Sequence, residues 1–563
     1  HKEYRRQRQM CIRDSRKPAP DLNPADLLAT LTEYLQSLGA RPMAHETRKA
    51  RQAVLDSCLQ AAEWKPGLFA LRVPTGGGKT LAGLAFALRH AAIHGMRRII
   101  VVAPYLSILE QTALVVRRAL GLEEDSETIL EHHSMGDWDA GGNKEQSRKG
   151  PKGERWDCPI IITTNIQLLE SLFSNKPGRC RKVHQITRSV VLLDECQSVP
   201  PGLLGPTCEM LNQVTASWGA TVVMMTATQP AWSNTGYAGP KLDNVREIIS
   251  DPESLYQGMA RAQIRWPAKG ESLSWEEIAA SIRQKAQVLV IVNTRRAAKD
   301  LFRELERLQV PGLFHLSTAL CPAHRRMVLE KCRNALRENQ PCVLVSTQVV
   351  EAGVDIDFPE VYREMAPLEA VLQAAGRCNR EGLRRNADGS PAGEVVVFRS
   401  LEGRLPPDRW YHLGRSVVET AFLASGRTPQ VDNPTTISEY FRHLHASGTL
   451  DEHDIHDLRK RLQFEDVADK YRLITDEGVA VIIASWEHSK SRVEMLLDSL
   501  TNKENGYGHR SLIPYQVNMR YSEVQAKGGW ITEIVPGLLV YKGPYDDSLG
   551  LLADDAADQF LLV

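Results

Sequence analysis

Short apolar runs alternate with helical patterns over most of the chain. Near its start, Leu27, Leu28, Leu31, Tyr34, Leu35 and Leu38 recur at helical spacing and predict a helix over Pro24–Leu38. A second helix is expected over Glu46–Ala62. The runs LFALRV, RRIIVVA, PIIITT, SVVLLD and TVVMMT follow, separated by helical stretches. Their nearly continuous apolar character suits strands buried on both faces of a parallel sheet. Residues 21–232 therefore read as N-terminal helices plus a doubly wound α/β lobe. The pattern breaks in AWSNTGYAGPKLDN, and residues 233–263 read as a linker. It restarts at QVLVIV and continues through GLFHL, PCVLVS, EVYREM and EVVVF, giving a second α/β lobe over 264–400. Residues 401–563 mix helices with strand candidates such as VAVIIAS and are expected to form one C-terminal accessory domain. The expected class is α/β, with two doubly wound parallel-sheet lobes in tandem.

Composition narrows the picture only a little. Apolar residues make up 42% of the 563, enough for a sizeable core. Lys plus Arg and Asp plus Glu both number 69, a balance that neither suggests nor excludes a nucleic-acid partner. The 10 cysteines include no C-x-x-C pair, so reduced thiols in a cytoplasm are expected rather than a disulfide framework or a zinc site. No apolar run is long enough to span a membrane, and no signal peptide is visible. Residues 1–20 lack an amphipathic period and carry seven Lys or Arg before Pro18. They read as a disordered tail, a truncation or cloning scar in preference to a basic arm for nucleic acid.

The candidate chemistry begins at PTGGGKT. Thr75, Gly76, Gly77, Gly78, Lys79 and Thr80 lie between a strand and a helix. Glycines there let successive backbone N–H groups face phosphate oxygens, and the helix start adds its positive end. Lys79 would reach the β- and γ-phosphates of ATP, and the Thr80 hydroxyl would ligate Mg²⁺. The stricter form of the motif has Gly where Val73 stands. At SVVLLDECQ, a buried strand ends in Asp194 and Glu195. Asp194 would hold Mg²⁺ through its water shell, and Glu195 would accept the proton of the attacking water.

In VLQAAGRCNREG, Gln373, Arg377 and Arg380 lie in the second lobe. If the segment is helical, the two arginines share a face. Arginines entering the cleft from another lobe can stabilise charge on the γ-phosphate. ATP held by one lobe and touched by the other becomes an adhesive between them, and hydrolysis releases it. A polymer gripped by both lobes would then be stepped along.

The series PTGGGKT, APYLSILEQTA, TTNIQLLESL, LLDECQ, TAT, VSTQVVEAGVDIDF and QAAGRCNREG resembles the ordered motifs of superfamily-two helicases. It is more similar still to the helicase portion of the CRISPR-associated helicase–nuclease of type I interference systems. DECQ, EHHS at Glu131–Ser134 and GRCNREG carry that likeness, and RWDCPIIITTNIQLLESLF looks like the compact type I-C branch. The resemblance implies two RecA-like lobes. Thr226 and Thr228 of TAT would couple ATP state to strand grip. It also implies that Pro104, Thr164, Asn293 and Thr347 contact the backbone of single-stranded DNA. Gly353 and Asp355 would link the strand to the nucleotide, Asp355 on the nucleotide side. A role for Gln52 in reading adenine is possible in such a family, but a glutamine on an exposed helix face is the simpler reading. His132 and His133 of EHHS point apart, which makes joint metal ligation awkward. Trp138, Trp156 and Trp232 read as packed side chains rather than base-stacking platforms.

The family also carries a histidine–aspartate nuclease ahead of the helicase. About 45 residues precede the match here, too few for such a domain. DEHDIHD, with His453, Asp454, His456 and Asp457, reads as a solvated face and not a nuclease centre. The nuclease is expected either on a separate chain or lost with the N-terminus, the ragged start favouring loss. What the resemblance implies is an ATP-driven single-stranded-DNA translocase and helicase, moving 3′ to 5′ and recruited by the CRISPR surveillance complex. A superfamily-two RNA helicase or repair translocase is the nearest alternative, and a nucleotide-gated scaffold without catalysis the next.

Overall fold

The computed structural model describes residues 20–39, 43–132, 155–228, 232, 241–351, 353–388, 390–474, 478–502 and 509–552. His133, Trp138, Pro230 and the 1–19 tail lie outside them. Helices α1 (Pro24–Gly39) and α2 (His45–Ala61) lead into a first sheet. Its strands are β1 (Leu68–Arg72), β2 (Arg98–Ala103), β3 (Ile129–His132), β4 (Ile160–Thr164), β5 (Ser189–Asp194), β6 (Thr221–Thr226) and β7 (Arg246–Glu247). Their order is β3-β4-β2-β5-β6-β1-β7, with every pairing parallel.

The apolar runs of the sequence are explained by two-sided burial. Phe69, Leu71, Ile99, Val101, Val190 and Leu192 face one core, which also takes Leu31 of α1 and helix α3 (Lys79–His94). The alternating residues Leu68, Ala70, Ile100, Val102, Val191 and Leu193 face a second core. A strand sandwiched in this way cannot show a polar–apolar alternation.

A second parallel sheet contains β8 (Ala262–Arg265), β9 (Gln287–Ile291), β10 (Leu313–Leu316), β11 (Cys342–Ser346), β12 (Glu360–Glu364) and β13 (Gly393–Phe398). Its order is β10-β11-β9-β12-β13-β8, and it too has a core on each face. The class expected from sequence, two doubly wound parallel-sheet lobes, is the one observed.

Two boundaries differ from expectation. The 233–263 segment is more than a linker: β7 extends the first sheet beside β1, and a helix at Pro252–Gly258 follows. Tyr256 of that helix packs with second-lobe residues and donates its hydroxyl hydrogen to the Ala227 carbonyl of the first lobe.

Residues 401–563 do not form one domain. Ile437, Tyr440, Phe441 and Leu444 pack on the second lobe, whereas Leu450, Ile455, Val467 and Tyr471 return to the first. A separate four-stranded sheet follows, with strands Val479–Ile483, Gln516–Met519, Ile531–Val535 and Leu538–Tyr541. One of its faces packs on Ala319 and Cys321 of the second lobe. No described helix is long and apolar enough to cross a membrane. The nine described cysteines are free thiols.

The returning segment is anchored by Tyr471, which stacks on Phe173 with centroids 3.7 Å apart and shares a 2.7 Å hydrogen bond with Thr207. Tyr471→Ala should lower the stability of the first lobe by roughly 3–5 kcal/mol in a urea melt, the usual range for losing a buried aromatic. Tyr471→Phe should cost only about 1 kcal/mol, because Thr207 keeps its bond to the Leu203 carbonyl. Equal losses in the two variants would show that packing is not what holds the segment down.

Candidate nucleotide site between the lobes

Strand order assembles the site. β6 lies between β5 and β1, so the carboxyl ends of all three meet on one edge, with Arg72 level with Thr226 and Asp194 level with Met225. The glycine-rich turn leaves β1 and enters α3. Gly78, the residue before α3, has φ +82°, a conformation that L side chains rarely adopt. Lys79 opens the helix, and its ammonium lies 3.1 Å from Asp194 Oδ1 and 2.5 Å from Glu195 Oε1. Glu195 itself has φ +46°.

All three charged groups are largely buried. Burial pushes the Lys79 ammonium down, but Asp194 and Glu195 outweigh it and hold it above its ordinary value. Burial raises Asp194 despite Lys79. Burial also works to raise Glu195, yet the charge of Lys79 and hydrogen bonds from Lys79 and Gln197 win, and that carboxyl sits below its usual range. The two carboxylates thus differ in character although they are adjacent.

A relay runs outward from this cluster. Gln197 Nε2 donates to Glu195 Oε2 at 2.5 Å, and Thr226 Oγ1 donates to Gln197 Oε1 at 2.5 Å. Thr226 Oγ1 in turn accepts from the Thr228 backbone N–H at 2.8 Å. Thr226 and Thr228 are connected to the nucleotide side through Gln197, a residue whose role the sequence reading left open.

The second lobe closes on the same point. A Cβ on Gly376 would lie 2.7 Å from Thr75 Cγ2, so only glycine permits this approach of the lobes. Gly353 is similarly close to Ile108 of the first lobe, where its added Cβ would stand 3.0 Å from a backbone nitrogen.

Arg377 and Arg380 do not share a helix face. The helix Leu368–Ala375, which carries Gln373, ends before them, and Asn379 turns the chain with φ +47°. Buried Arg377 donates to the carbonyls of Val350, at 3.0 Å, and Glu351. Burial, then the nearby Arg380, push it down to about 10, and the charge of Glu195 is among those it feels. Arg380 pairs with Asp355 at 2.6 Å, so Asp355 is engaged with an arginine of its own lobe.

Sequence reasoning missed Arg51. Its Nε donates to the Gly76 carbonyl at 2.9 Å and its Nη2 lies 3.2 Å from Glu381 Oε2 in the second lobe. Gln52, one residue on, bonds Asp56 on the exposed face of α2.

A cleft of about 2310 Å³ opens beside this site, between the lobes and the C-terminal region. Pro104, Thr164, Thr347, Glu195, Gln373 and Asp355 line it. Arg325, Arg326, Arg333 and Arg337 of the helix Pro322–Arg337 form a basic wall. Thr164 also caps the next helix, accepting from the Gln167 N–H.

Asn293 corrects the expected set of strand contacts. It is fully buried, its Nδ2 bonds the Met365 carbonyl at 3.0 Å, and its Oδ1 accepts from Arg363 at 2.7 Å and Tyr411 at 2.6 Å. Burial and these three partners turn the side chain into the second lobe's interior rather than the cleft.

Trp156 and Trp232 are buried. His132 accepts from Trp156 Nε1, and His456 pairs with Glu209 at 2.8 Å. Among the described residues no group of three His, Cys, Asp or Glu side chains is placed to hold a metal by itself.

The fold and site define a two-lobe helicase core, and a model of DEAD/DEAH box helicases matches residues 49–235. A second model, the C-terminal part of the CRISPR-associated nuclease/helicase Cas3, matches residues 284–383. By its helicase portion the chain is similar to Cas3 proteins. The Cas3 of Haloferax volcanii is 25% identical, the match covering 85% of this chain and 66% of that protein. For the Methanothermobacter thermautotrophicus protein the figures are 22%, 76% and 53%. The chain thus spans between half and two thirds of these relatives. Among solved structures, T. fusca Cas3 with AMPPNP superposes with a TM-score of 0.65 at 17% identity, covering 95% of this chain and 73% of that one. A CRISPR RNA-guided surveillance complex in its pre-nicking state contains a chain matching at TM-score 0.56 and 15% identity, over 92% of this chain and 71% of its own.

Behind Arg377, Glu351 forms a buried 2.8 Å ion pair with Arg363. Burial raises the Glu351 carboxyl to about 7 from an ordinary 4.5, against the pull of Arg363. A folded-state value above the unfolded one contributes stability that is complete below about pH 4.5 and is lost as pH rises through about 7. Glu351→Gln, which copies the protonated form, should match the parent in acid. Above about pH 7 it should be the more stable protein by up to roughly 3 kcal/mol. Denaturant titrations across that range check this, and parallel pH profiles would count against it.

Proposed function

We propose that the chain is an ATP-dependent single-stranded-DNA translocase and helicase acting in CRISPR interference. The observation that carries this reading is the meeting of Lys79, Glu195 and the second-lobe Arg377 at one closed seam, with a cleft lined by arginines alongside. Lys79 contacts two carboxylates at once. When its ammonium turns to a phosphate, Asp194 and Glu195 need another cation, and the hard oxygens of Asp194 and Thr80 suit Mg²⁺. The ion would supply charge neutralisation on the phosphates. Glu195, held ionised by its hydrogen bonds, is the base for the attacking water. Arg377 and Arg380 face the developing γ-phosphate charge from the second lobe.

The relay Glu195–Gln197–Thr226 passes nucleotide state towards Pro104, Thr164 and Thr347, which contact the strand backbone in the cleft and position it without reading its sequence. The cleft favours a polymer over a small substrate. The surveillance complex is the proposed recruiter in the cytoplasm, with movement 3′ to 5′. The RWDCPIIITTNIQLLESLF stretch supports a type I-C assignment.

Purified protein should hydrolyse ATP with Mg²⁺, faster with single-stranded DNA. Lys79→Ala and Glu195→Gln should each lower the rate by about 100-fold or more, the second keeping its ATP. A phosphate-release assay decides this, and an unchanged rate in either variant would refute the site. RNA should stimulate less than DNA of the same sequence, since a strand-tracking site senses the 2′-OH. Equal or stronger stimulation by RNA would move the protein to RNA helicase work.

A further inference from the structure

The crossover between lobes ends at Arg261, one residue before β8. Its residue exposure is 9%, and its guanidinium lies against the phosphate loop at Gly76. A Cβ on Gly76 would meet Arg261 Nη1 at 2.5 Å, with Cζ and Nη2 both at 3.3 Å. Gly76 has φ +78°, so side chains are excluded there twice over, by backbone and by Arg261. Nη1 donates to the carbonyl of Arg380, the finger residue of the second lobe. Nε and Nη2 find no partner among the described residues. These two atoms form the edge with which a guanidinium grips an oxyanion in two parallel hydrogen bonds.

The surrounding charges do not fill the gap. Arg51 and Arg380 stand nearby with the carboxylates of Glu381 and Asp357, while Arg380 is paired with Asp355 and Arg384 lies 3.5 Å from Asp357. Glu381 is already paired with Arg51, and Asp357 accepts from the Arg380 N–H at 2.8 Å. Burial first, then Arg51, push Arg261 down to about 10. A buried guanidinium with three of its five N–H donors unsatisfied is costly unless something else binds them. A purely structural arginine would show that edge bonded within the protein.

We propose that Arg261 is a nucleotide-binding residue whose Nε–Nη2 edge takes an oxyanion of the polyphosphate held by the loop at 74–80. This rests on the nucleotide site proposed above. It gives the crossover a direct contact with nucleotide, in addition to the finger arginines. Because Nη1 already holds the Arg380 carbonyl, the phosphate and the second lobe are joined through one side chain.

The test is equilibrium titration of the full chain with N-methylanthraniloyl-ATP and -ADP in Mg²⁺, with Lys79→Ala as reference. Arg261→Gln should weaken binding of one or both nucleotides about tenfold or more, at unchanged affinity for a single-stranded oligonucleotide. Arg261→Lys should fall between Gln and the parent, because an ammonium keeps the charge but loses the two-pronged edge. Thermal unfolding without nucleotide identifies a Gln variant that folds poorly. In that case the Lys variant decides alone, and parent-like nucleotide affinity in it overturns the proposal. Parent-like affinity in a folded Gln variant, with Lys79→Ala still deficient, overturns the Arg261 assignment and leaves the site standing. A loss of oligonucleotide affinity in place of nucleotide affinity also overturns it. Failure of the parent itself to bind nucleotide would remove both readings.

Discussion

One ammonium between two buried carboxylates sets the terms for the rest of this molecule. Lys79 holds Asp194 at 3.1 Å and Glu195 at 2.5 Å in a seam from which water is largely excluded. Removing Lys79 would leave two adjacent carboxylates without a cation in a poor dielectric, a strongly unfavourable state. The carboxylates are therefore stable together only with a cation beside them. A phosphate that draws Lys79 away must bring a cation with it. On the proposed function, that requirement would tie nucleotide and metal binding into one event. The two carboxylates would then change partners each time the nucleotide comes or goes.

The change does not stay local, because the carboxylates are bonded onward. Glu195 grips Gln197, Gln197 grips Thr226, and Thr226 sits at the end of the strand flanked by the phosphate-loop and carboxylate strands. The crossover that leaves this lobe touches Ala227 through Tyr256 and ends at Arg261 against Gly76. Every exit from the site thus leads to a lobe boundary. Parallel strand order is the reason: placing β6 between β5 and β1 brings three loops of different chain position to one edge.

Local chemistry was legible in the sequence where it depended on neighbours along the chain. Ser189–Asp194 and Thr221–Thr226 begin and end where their apolar runs do, because burial on both faces leaves no polar position inside them. PTGGGKT and DECQ announced the nucleotide cluster because glycine, lysine and carboxylate each have a narrow physical reason to stand there. Arg51, Arg261 and Glu381 were not legible. Their meaning comes from a three-way contact between α2, the phosphate loop and the second lobe, and an arginine on a helix or in a crossover carries no pattern of its own. Asn293 shows the converse failure: a strand-end asparagine suits a phosphate contact, but Arg363 and Tyr411 consume its amide. Tyr411 lies beyond residue 400, so no reading of the second lobe by itself could find that partner. The expected helical pairing of Arg377 with Arg380 failed because Gly376 and Asn379 redirect the chain after Ala375.

The C-terminal region constrains the motion that such a site can drive. Its helix Pro434–Ala446 is packed on the second lobe, and a few residues later Leu450 accepts from the Gly205 N–H of the first lobe at 2.8 Å. Glu452 adds a backbone bond to Gly202, and His456 and Arg459 both reach Glu209. The lobes are therefore joined twice: once by the crossover through Tyr256 and Arg261, once by this returning segment. Two connections leave less freedom than one. Relative motion of the lobes would have to respect both joins and the Arg51–Glu381 pair across the seam. On the proposed function, this restraint suits short steps of a strand in the cleft better than wide release. The joining contacts, Leu450 to Gly205 and Tyr471 to Phe173, are a backbone hydrogen bond and an aromatic stack, with no charge of the Lys79 cluster among them.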